Sequence, residues 1–411
     1  MLLGKKALAL VISGILISGC SFPHAGPSYG SVEELNDAKN TQYPIPILKI
    51  NNDITTIMKA HEEKLSFKKV FGDVKPDVYK VQSGDSVDLY IWEGSPALLF
   101  GAKSYDAEDL SVTSNKLPTQ LVEEDGNITV PFVGQIKVAG KTVRQIERDI
   151  LDSLKTKANN PQVMLHVSNR PSSQMTVIGD VKNSTNITLT PKGERILDAL
   201  ALSSGVSQNY NKIMLSLTRN GNTSSLPLET VIENPNENIY VNAKDVLVVM
   251  YQPWTFTVLG PAGKNQEVKL EATGLNIIEA LARIGGLNDN VANPNGVFIF
   301  RYEDKDIYQE YAKSFTKQKE VNSSKQEQSL VSNTDSINDV LKNVEKIPVV
   351  YQLYMGEAES LFVAQNFKIK NGDVVYLASS GANELSKFLR MVGLIVNPLV
   401  SWGNTVNNLA D

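Results

Sequence analysis

Alternating and helical patterns of apolar residues divide the chain into short strands and short helices. From residue 78 to 92 the pattern predicts a strand, a Ser-Gly-Asp turn and a second strand that alternates from Val87 to Ile91. Thr142 should begin a helix, because Gln145 three residues later completes a capping box. Together the elements predict an α+β, multidomain chain with small mixed sheets and short helices.

One stretch of the chain recurs 81 residues later without a gap. Thr176-Val177-Ile178-Gly179 recurs as Thr257-Val258-Leu259-Gly260, and Ala199-Leu200-Ala201 recurs as Ala280-Leu281-Ala282. Each copy has the pattern of a strand, a turn, a strand and a short helix that ends at glycine. Two copies are too few for a solenoid, so the repeat predicts two small domains in tandem.

Each copy of the repeat closes with a strand that follows an acidic turn. The turn contains Asp245 in the first copy and Asp373 in the second, and Gly84-Asp85 shows the same pattern, so we expect one structural device to be used three times. The closing strands are 128 positions apart, which leaves about 47 extra residues in the second copy. These lie at about 303–347, where the polar run from Lys313 to Glu345 predicts a solvated insertion, disordered or weakly helical.

The last thirty residues, from Ala382 to Asp411, predict a helix with two different faces. About 28 helical residues span roughly 42 Å, more than a hydrocarbon core of about 30 Å. Pro398 lies inside the helix and should kink it. The apolar face contains Phe388, Val392, Ile395, Leu399, Trp402, Val406 and Leu409. The polar face contains Arg390, Asn397, Ser401, Asn404 and Asn408.

The only cysteine, Cys20, follows a pattern typical of a bacterial secretory signal. Lys5 and Lys6 precede an apolar run at 7–17 that is too short to span a bilayer. Ile17-Ser18-Gly19-Cys20 then matches a lipobox, which predicts acylation of Cys20 as the first residue of the mature chain. The alternative is an incidental cysteine. Ser21 stands where an aspartate would favour retention in the inner membrane, so the pattern favours the outer membrane.

Composition argues against several classes of function. The chain has an ordinary globular composition, and its net charge of −5 without a basic stripe argues against nucleic acid as a partner. The three histidines have no partners at metal-ligand spacing, and neither a nucleophile elbow nor a phosphate-binding loop is present. We therefore expect no catalytic residue, no metal and no cofactor. Trp92 and Trp254 could stack on sugars, but a role in a core or an interface is favoured.

Several motifs resemble known domains once they are placed in order. Tyr79 to Trp92, Asp125 to Gly134 and Val138 to Thr142 resemble the polysaccharide export domain, and the two repeats resemble soluble-ligand-binding β-grasp (SLBB) modules. With a lipobox in front and a two-faced helix behind, the order resembles the Wza-type outer-membrane polysaccharide export lipoproteins. The resemblance implies these boundaries: signal peptide 1–19, lipidated tether and linker 20–75, export domain 76–171, first SLBB module 172–252, second SLBB module 253–380 and pore helix 381–411.

The resemblance also implies a function and a set of partners. In that family the subunits form a homo-oligomeric ring, an octamer in the type member, whose C-terminal helices line a pore for the polysaccharide polymer. Here the polar face of the helix would line the pore and the apolar face would contact outer-membrane lipid. The body would lie in the periplasm and the C-terminus at the cell surface. An inner-membrane co-polymerase or ABC-transporter export complex is the implied partner, and the sequence leaves both systems open.

The residues themselves leave two functions to be weighed. One is a translocon subunit for capsular or exopolysaccharide. The other is a periplasmic scaffold or sugar-binding lipoprotein without a pore, whose last helix only docks on a surface. A surface helix is normally rich in Lys and Arg on its polar face, whereas this one has mainly Asn and Ser, which favours the pore.

Overall fold

The computed structural model describes residues 27–36, 45–94, 97, 99–100, 115–262, 264–288, 290–319 and 346–380. The chain forms two compact units. The terminal unit takes its described residues from Met1–Lys59, Trp254–Leu270 and Gly274–Asp411, and the central unit comprises Ala60–Pro253 and Glu271–Thr273. Both units are mixed α+β structures in which small sheets pack against short helices.

The described part of the predicted tether and linker contains regular elements. They are α1 (Tyr29–Glu33), β1 (Ile47–Lys49), α2 (Asn52–Lys64) and α3 (Phe67–Phe71). The side chain of Ser28 accepts a hydrogen bond from the backbone N–H of Ser31 (3.1 Å) and so caps α1. The boundary between the two units falls within α2. We call residues 27–36 and 45–58 the N-terminal strap.

A four-stranded sheet forms the first part of the central unit. Its central strand β2 (Ser86–Trp92) pairs antiparallel with β3 (Asn115–Lys116), β4 (Gln120–Leu121) and β7 (Gln162–Asn169). The hairpin β5 (Asn127–Val130) and β6 (Gly134–Lys137) lies beside it. Helix α4 (Val143–Leu154) packs on this sheet through Ile146, Ile150 and Leu154. The predicted capping box is confirmed, since Thr142 and Gln145 each bond the backbone N–H of the other.

The first of the two strands predicted at 78–92 does not form. Both edges of β2 are occupied, by β7 on one side and by β3 and β4 on the other. Residues 78–82 therefore have no free edge of this strand to pair with. Val78 is 74% exposed, and the segment is held without a strand ladder: Val81 forms backbone hydrogen bonds with Gly140 and Lys141, and Tyr79 packs partly buried against the core of this sheet.

The second part of the central unit is the first copy of the repeat. It forms a five-stranded sheet in the order β11-β10-β12-β8-β9, in which β8 and β12 are parallel. Helices α5 and α6 join its strands. The elements are β8 (Gln174–Gly179), β9 (Thr185–Thr188), α5 (Ile196–Leu202), β10 (Ile213–Arg219), β11 (Asn222–Pro227), α6 (Leu228–Glu233) and β12 (Val246–Tyr251).

The terminal unit contains the second copy with the same strand order. Its six-stranded sheet runs β1-β17-β16-β19-β13-β14, so each strand of the first copy has an equivalent and β1 of the strap is added at one edge. The elements are β13 (Thr255–Leu259), β14 (Gln266–Lys269), β15 (Leu275–Asn276), α7 (Ile277–Arg283), β16 (Ala292–Asp304), α8 (Lys305–Lys319), β17 (Lys346–Leu353), α9 (Ala358–Asn366), β18 (Lys368–Ile369) and β19 (Val374–Ser379).

The structure confirms the repeat and its offset of 81 residues. Isolated β-bridges join Val181 to Val206 in the first copy and Ala262 to Leu287 in the second, at equivalent positions. Gly179, the last residue of β8, and Gly260, the first residue after β13, occupy equivalent positions with φ angles of 101° and 102°. A Cβ atom on either glycine would overlap the carbonyl oxygen of Val249 or Leu377. Both copies therefore need glycine at this position for the same steric reason.

The insertion lies in the second copy, where the first copy has the tight turn between β10 and β11. In place of that turn the second copy has an extended hairpin of β16 and β17 and the helix α8. A solvated insertion was expected at about 303–347, but its described ends belong to the folded body. Glu303, Ile307, Tyr308, Tyr311 and Ile347 are all less than 10% exposed. The burial of these residues was not predicted because they lie in strands and in the first turns of α8, outside the polar run that suggested a solvated insertion. Residues 320–345 lie outside the described residues.

Candidate functional site

The sequence-predicted site residues lie outside the residues that the structure describes. They are the lipidation residue Cys20, the polar positions Arg390, Asn397, Ser401, Asn404 and Asn408, and the apolar positions Phe388, Val392, Ile395, Leu399, Trp402 and Val406. Of the helices in the described ranges, none combines the length and the apolar character needed to cross a bilayer. The described residues nevertheless show where the chain segments leading to both predicted sites begin.

Both leading segments start from the terminal unit. Tyr376 of β19 donates a hydrogen bond from Oη to the carbonyl oxygen of Pro27 (2.5 Å). Ser380, four residues farther along, donates its backbone N–H to Val291 (2.8 Å). Pro27 comes seven residues after Cys20, a distance that an extended chain spans in at most about 25 Å. Strand β19 thus holds the start of the anchor segment close to the start of the predicted terminal helix.

The strap covers one face of the sheet in the terminal unit. Val32 is fully buried in a cluster with Phe298 and Val350. The ring of Tyr29 lies 5.7 Å from that of Phe298, and its Oη accepts a hydrogen bond from Nε2 of Gln352 (3.1 Å). Burial raises the pKa of Tyr29 to about 12.

The rest of the strap is held by the sheet edge and by the first helix of the insertion. Strand β1 pairs parallel with β17, with Ile47 opposite Val350. On the other face of the sheet, Ile54 of α2 shares a core with Tyr308 and Tyr311 of α8. A cavity of about 10 Å³ remains between these elements, room for about one water molecule. Helix α8 therefore belongs to the packing that fixes the strap.

Arg301 lies at the centre of a buried ionic network in the terminal unit. Its guanidinium donates two hydrogen bonds to Asp373 (2.9 and 2.6 Å) and one to Glu303 (3.2 Å). Nζ of Lys370 and Oη of Tyr351 also donate to Glu303, each at 3.0 Å. Burial alone would raise the pKa of Glu303, but the charges of Lys370 and Arg301 outweigh it and hold that pKa below its ordinary value. Two cations thus balance two carboxylates.

The first copy of the repeat contains the equivalent arginine–aspartate ion pair without the further partners that Glu303 and Lys370 provide in the second copy. Nε and Nη2 of Arg219 donate to Asp245 at 2.9 and 2.7 Å. The residue equivalent to Glu303 is Gly221, which lies in the short turn between β10 and β11. The longer hairpin of the second copy therefore supplies the extra carboxylate. These satisfied ion pairs indicate a structural role.

One turn geometry precedes a central strand of each sheet. A buried aspartate accepts a hydrogen bond from the backbone N–H three positions earlier, and the residue before the aspartate has a positive φ. The aspartates are Asp85, Asp245 and Asp373; their donors are Gln82 (2.8 Å), Asn242 (2.7 Å) and Lys370 (2.8 Å). The residues with positive φ are Gly84, Lys244 and Gly372. The prediction that one device is used three times is confirmed.

The described residues contain no group of three or more His, Cys, Asp or Glu side chains placed to hold a metal ion. The two tryptophans differ in their surroundings. Trp254 packs partly buried against the core of the terminal unit, as expected. Trp92 lies outside the core cluster of its sheet, and its ring stacks against Tyr90 with centroids 6.2 Å apart.

Sequence reasoning missed the strap and the two arginines of the ion pairs. Tyr29, Val32 and Leu35 are three residues apart, which is a helical signal that proline-rich surroundings concealed. Arg219 in β10 and Arg301 in β16 occupy equivalent positions, so an alignment of the two copies beyond their ungapped part would have found them.

Comparison with known proteins gives two domain matches and several relatives along nearly the whole chain. A family described as polysaccharide biosynthesis/export protein matches residues 73–168, and the SLBB domain matches residues 255–377. The chain is 35% identical to the capsule polysaccharide export outer membrane protein CtrA of Neisseria meningitidis, over 98% of this chain and 97% of CtrA. It is 33% identical to the capsule polysaccharide export protein BexD of Haemophilus influenzae, over 98% of each chain. The Vi polysaccharide export protein VexA/TviF of Salmonella typhi is 23% identical, over 93% of this chain and 95% of that protein.

Proposed function

Because this chain belongs to the Wza-type family of polysaccharide export proteins, we propose that it is an outer-membrane subunit of an oligomeric channel that exports capsular or exopolysaccharide. The family is one of export proteins, so the chain is not an enzyme. The observation that carries the proposal is similarity to capsule export outer membrane proteins over 98% of the chain.

The connections of the terminal unit support a channel that is anchored at both ends of the chain. The strap leads back from Pro27 to Cys20, and β19 leads forward through Ser380 to the amphipathic segment 381–411. A lipidated Cys20 and a membrane-crossing terminal helix would both hold the same unit against the outer membrane. Two attachments keep a protein at a membrane more durably than one.

In the proposed channel the terminal helices form the wall of the pore. The polar face with Arg390, Asn397, Ser401, Asn404 and Asn408 lines the lumen, and the apolar face contacts lipid. Buried polar side chains without partners are costly in hydrocarbon, so an asparagine face requires water or another helix. Neutral amide and hydroxyl groups suit a sliding sugar polymer because each hydrogen bond is weak and readily exchanged with water.

The second candidate is a periplasmic scaffold or sugar-binding lipoprotein without a pore. Like the channel, it would have the lipid anchor and the folded body. The two candidates differ in where residues 381–411 lie. An epitope tag placed after Asp411 distinguishes the two candidates. In the channel the tag is reached by antibody on intact cells, whereas in the scaffold it is reached only after the outer membrane is permeabilised.

The channel is tested by a charge on the lipid-facing side of the helix. Leu399→Lys and Val392→Lys should prevent membrane insertion and abolish surface polysaccharide, since a lysine in the bilayer centre costs about 2.5–3.5 kcal/mol. The matched control is Asn404→Lys on the polar face, which should leave insertion intact. Thermal unfolding of the periplasmic body should be unchanged in all three variants. Normal export by Leu399→Lys together with an inaccessible tag contradicts the channel.

A further inference from the structure

The four-stranded sheet of the central unit has a second surface that its core does not use. Along β2, Val87, Leu89 and Ile91 lie in the core, so the alternate residues lie on the other face. Their cross-strand partners share that face. We call this surface the outer face; its residues are Tyr90 and Trp92 on β2, Lys116 on β3, and Gln162, Met164 and His166 on β7.

Two nearly parallel aromatic rings form the centre of the outer face. The rings of Tyr90 and Trp92 have centroids 6.2 Å apart and an interplanar angle of 17°. Both side chains are partly exposed, and neither belongs to the hydrophobic core of the sheet. Met164 stands directly opposite Tyr90 and is 48% exposed. The rings therefore lie on a surface that a ligand can reach.

The described residues that follow Trp92 lead to the core and not onto the outer face. The carboxylate of Glu93 accepts hydrogen bonds from the backbone N–H groups of Leu99 (2.8 Å) and Phe100 (2.9 Å). Phe100 is 4% exposed and lies in the core on the opposite side of the sheet. A core position for Trp92 itself is excluded because Ile91 takes it, and successive residues of a strand point to opposite faces.

Unused hydrogen-bonding groups surround the two rings. Gln162 stands opposite Trp92 on β7, and His166 lies four residues farther along the same strand. Both side chains are exposed. Among the described residues, the indole N–H of Trp92 and the side chains of Gln162 and His166 have no hydrogen-bond partner. A wholly apolar partner would bury these groups unpaired, which is costly, whereas a ligand rich in hydroxyl groups would pair them.

The ionic groups at the edge of the outer face offset each other. Nζ of Lys116 lies 3.5 Å from the carboxylate of Asp88, and Oγ1 of Thr119 donates to the same carboxylate at 2.5 Å. The same Nζ lies 5.7 Å from the centre of the Tyr90 ring. The side chain of Lys116 is 51% exposed, and an ammonium group has three donors, so it can also donate to a ligand oxygen beside the rings.

We propose that the outer face binds sugar units of the exported polysaccharide. A sugar ring has C–H groups that pack on the electron-rich faces of aromatic rings, and hydroxyl groups that donate and accept hydrogen bonds. The outer face combines both kinds of partner. Neighbouring strands are about 4.8 Å apart and alternate residues about 6.8 Å apart, so three strands give room for a short oligosaccharide. The inference rests on the proposed export function for the source of the sugar.

Calorimetric titration of the full-length chain in detergent tests the site. The probe is an oligosaccharide fraction of the surface polysaccharide from the cells that produce this chain. We expect Trp92→Ala to weaken binding at least about tenfold, because a stacking ring is lost, while Trp92→Tyr stays within about threefold. Phe362→Ala removes a ring that is 71% exposed on α9 and should leave binding unchanged. No binding by the parent chain, or equal binding by Trp92→Ala, overturns the proposal.

Photo-crosslinking in exporting cells identifies the occupant without relying on a destabilising change. Benzoylphenylalanine replaces the exposed Met164, and in the control it replaces Phe362. We expect irradiation to attach polysaccharide to the chain from position 164 and not from position 362. Crosslinks from position 164 to protein or lipid alone overturn the site and leave the channel standing if the tag after Asp411 is accessible on intact cells. Polysaccharide crosslinks together with an inaccessible tag overturn the channel and leave the site standing.

Discussion

Buried carboxylates fix the turns that lead into the central strands, and their charges are stabilised in two different ways. Asp245 and Asp373 are about 1% exposed and each is bound by an arginine. Asp85 accepts hydrogen bonds from the hydroxyl groups of Tyr79 and Ser172. A buried carboxylate without such partners would cost several kcal/mol, so these contacts are conditions for the turn.

The network around Arg301 makes the stability of the terminal unit dependent on pH. Glu303→Gln should lower its free energy of unfolding by about 3 kcal/mol at pH 7, because Lys370 and Arg301 lose a buried counter-charge. The pKa of Glu303 in the folded chain is lowered from 4.5, so its contribution is complete above pH 4.5 and is lost as the pH falls through the lower folded-state pKa. Urea unfolding at pH 7 and at about pH 2 should show the variant and the parent converging in acid.

The control for this prediction is Glu124→Gln, an exposed carboxylate that should change the free energy of unfolding by less than about 0.5 kcal/mol. An equal gap between Glu303→Gln and the parent at both pH values would mean that the charge of Glu303 does not contribute.

The role of a single residue could be predicted where its local pattern recurs in the sequence. It could not be predicted where it depends on a partner far away along the chain. Gly84-Asp85 and Gly372-Asp373 share a local pattern, so the turn could be inferred from the sequence. The partners of the aspartates could not, because Arg301 is 72 positions from Asp373. Pairing at that separation depends on the order of the strands, which a single sequence does not specify.

At the scale of elements, each copy of the repeat has one place where the backbones of two parallel strands come unusually close. Gly179 and Gly260 lie at the ends of β8 and β13, where the backbone of the parallel closing strand comes close. No other residue type fits without moving the neighbouring strand, so these glycines determine how closely β8 and β13 approach their partners.

Substitution of these glycines should therefore be costly in both copies. Gly179→Ala and Gly260→Ala should each destabilise their unit by at least about 2 kcal/mol, from the positive φ and the overlap with a carbonyl. The matched control is Gly205→Ala, where φ is also positive but a Cβ meets nothing within 4 Å. Chemical denaturation of the three variants measures the difference. Equal losses at Gly179 and Gly205 would show that overlap adds nothing to the backbone strain.

Elements with strong periodicity were predicted, and elements that depend on a partner were not. Helix α4 was identified from its capping box and its apolar spacing. The strand expected at 78–82 failed because the edges of β2 were already filled by other strands. Strand β1 has three residues and forms only because β17 offers it an edge.

At the scale of the whole molecule, the lipid anchor should depend on one thiol. Cys20→Ser should abolish incorporation of labelled palmitate and leave an unprocessed precursor, because the lipobox sulfur is the acceptor of the lipid. Fractionation with and without labelled palmitate measures both effects, and Ser21→Ala is the control. Normal lipid labelling of Cys20→Ser would contradict the anchor. Family membership could be inferred from the sequence because motif order survives divergence, whereas the packing of the N-terminal strap on the terminal unit could not.

The strap contact also dictates the order in which the chain can fold. Pro27 and Tyr376 are 349 positions apart, so an early segment of the chain completes a module that lies late in it. The central unit can fold while synthesis continues, but the aromatic face of the terminal unit stays exposed until its own beginning returns to it. Closing such a long loop slows folding, since its entropy is lost before the contact is gained. The interval before that closure is when the chain is most exposed to aggregation.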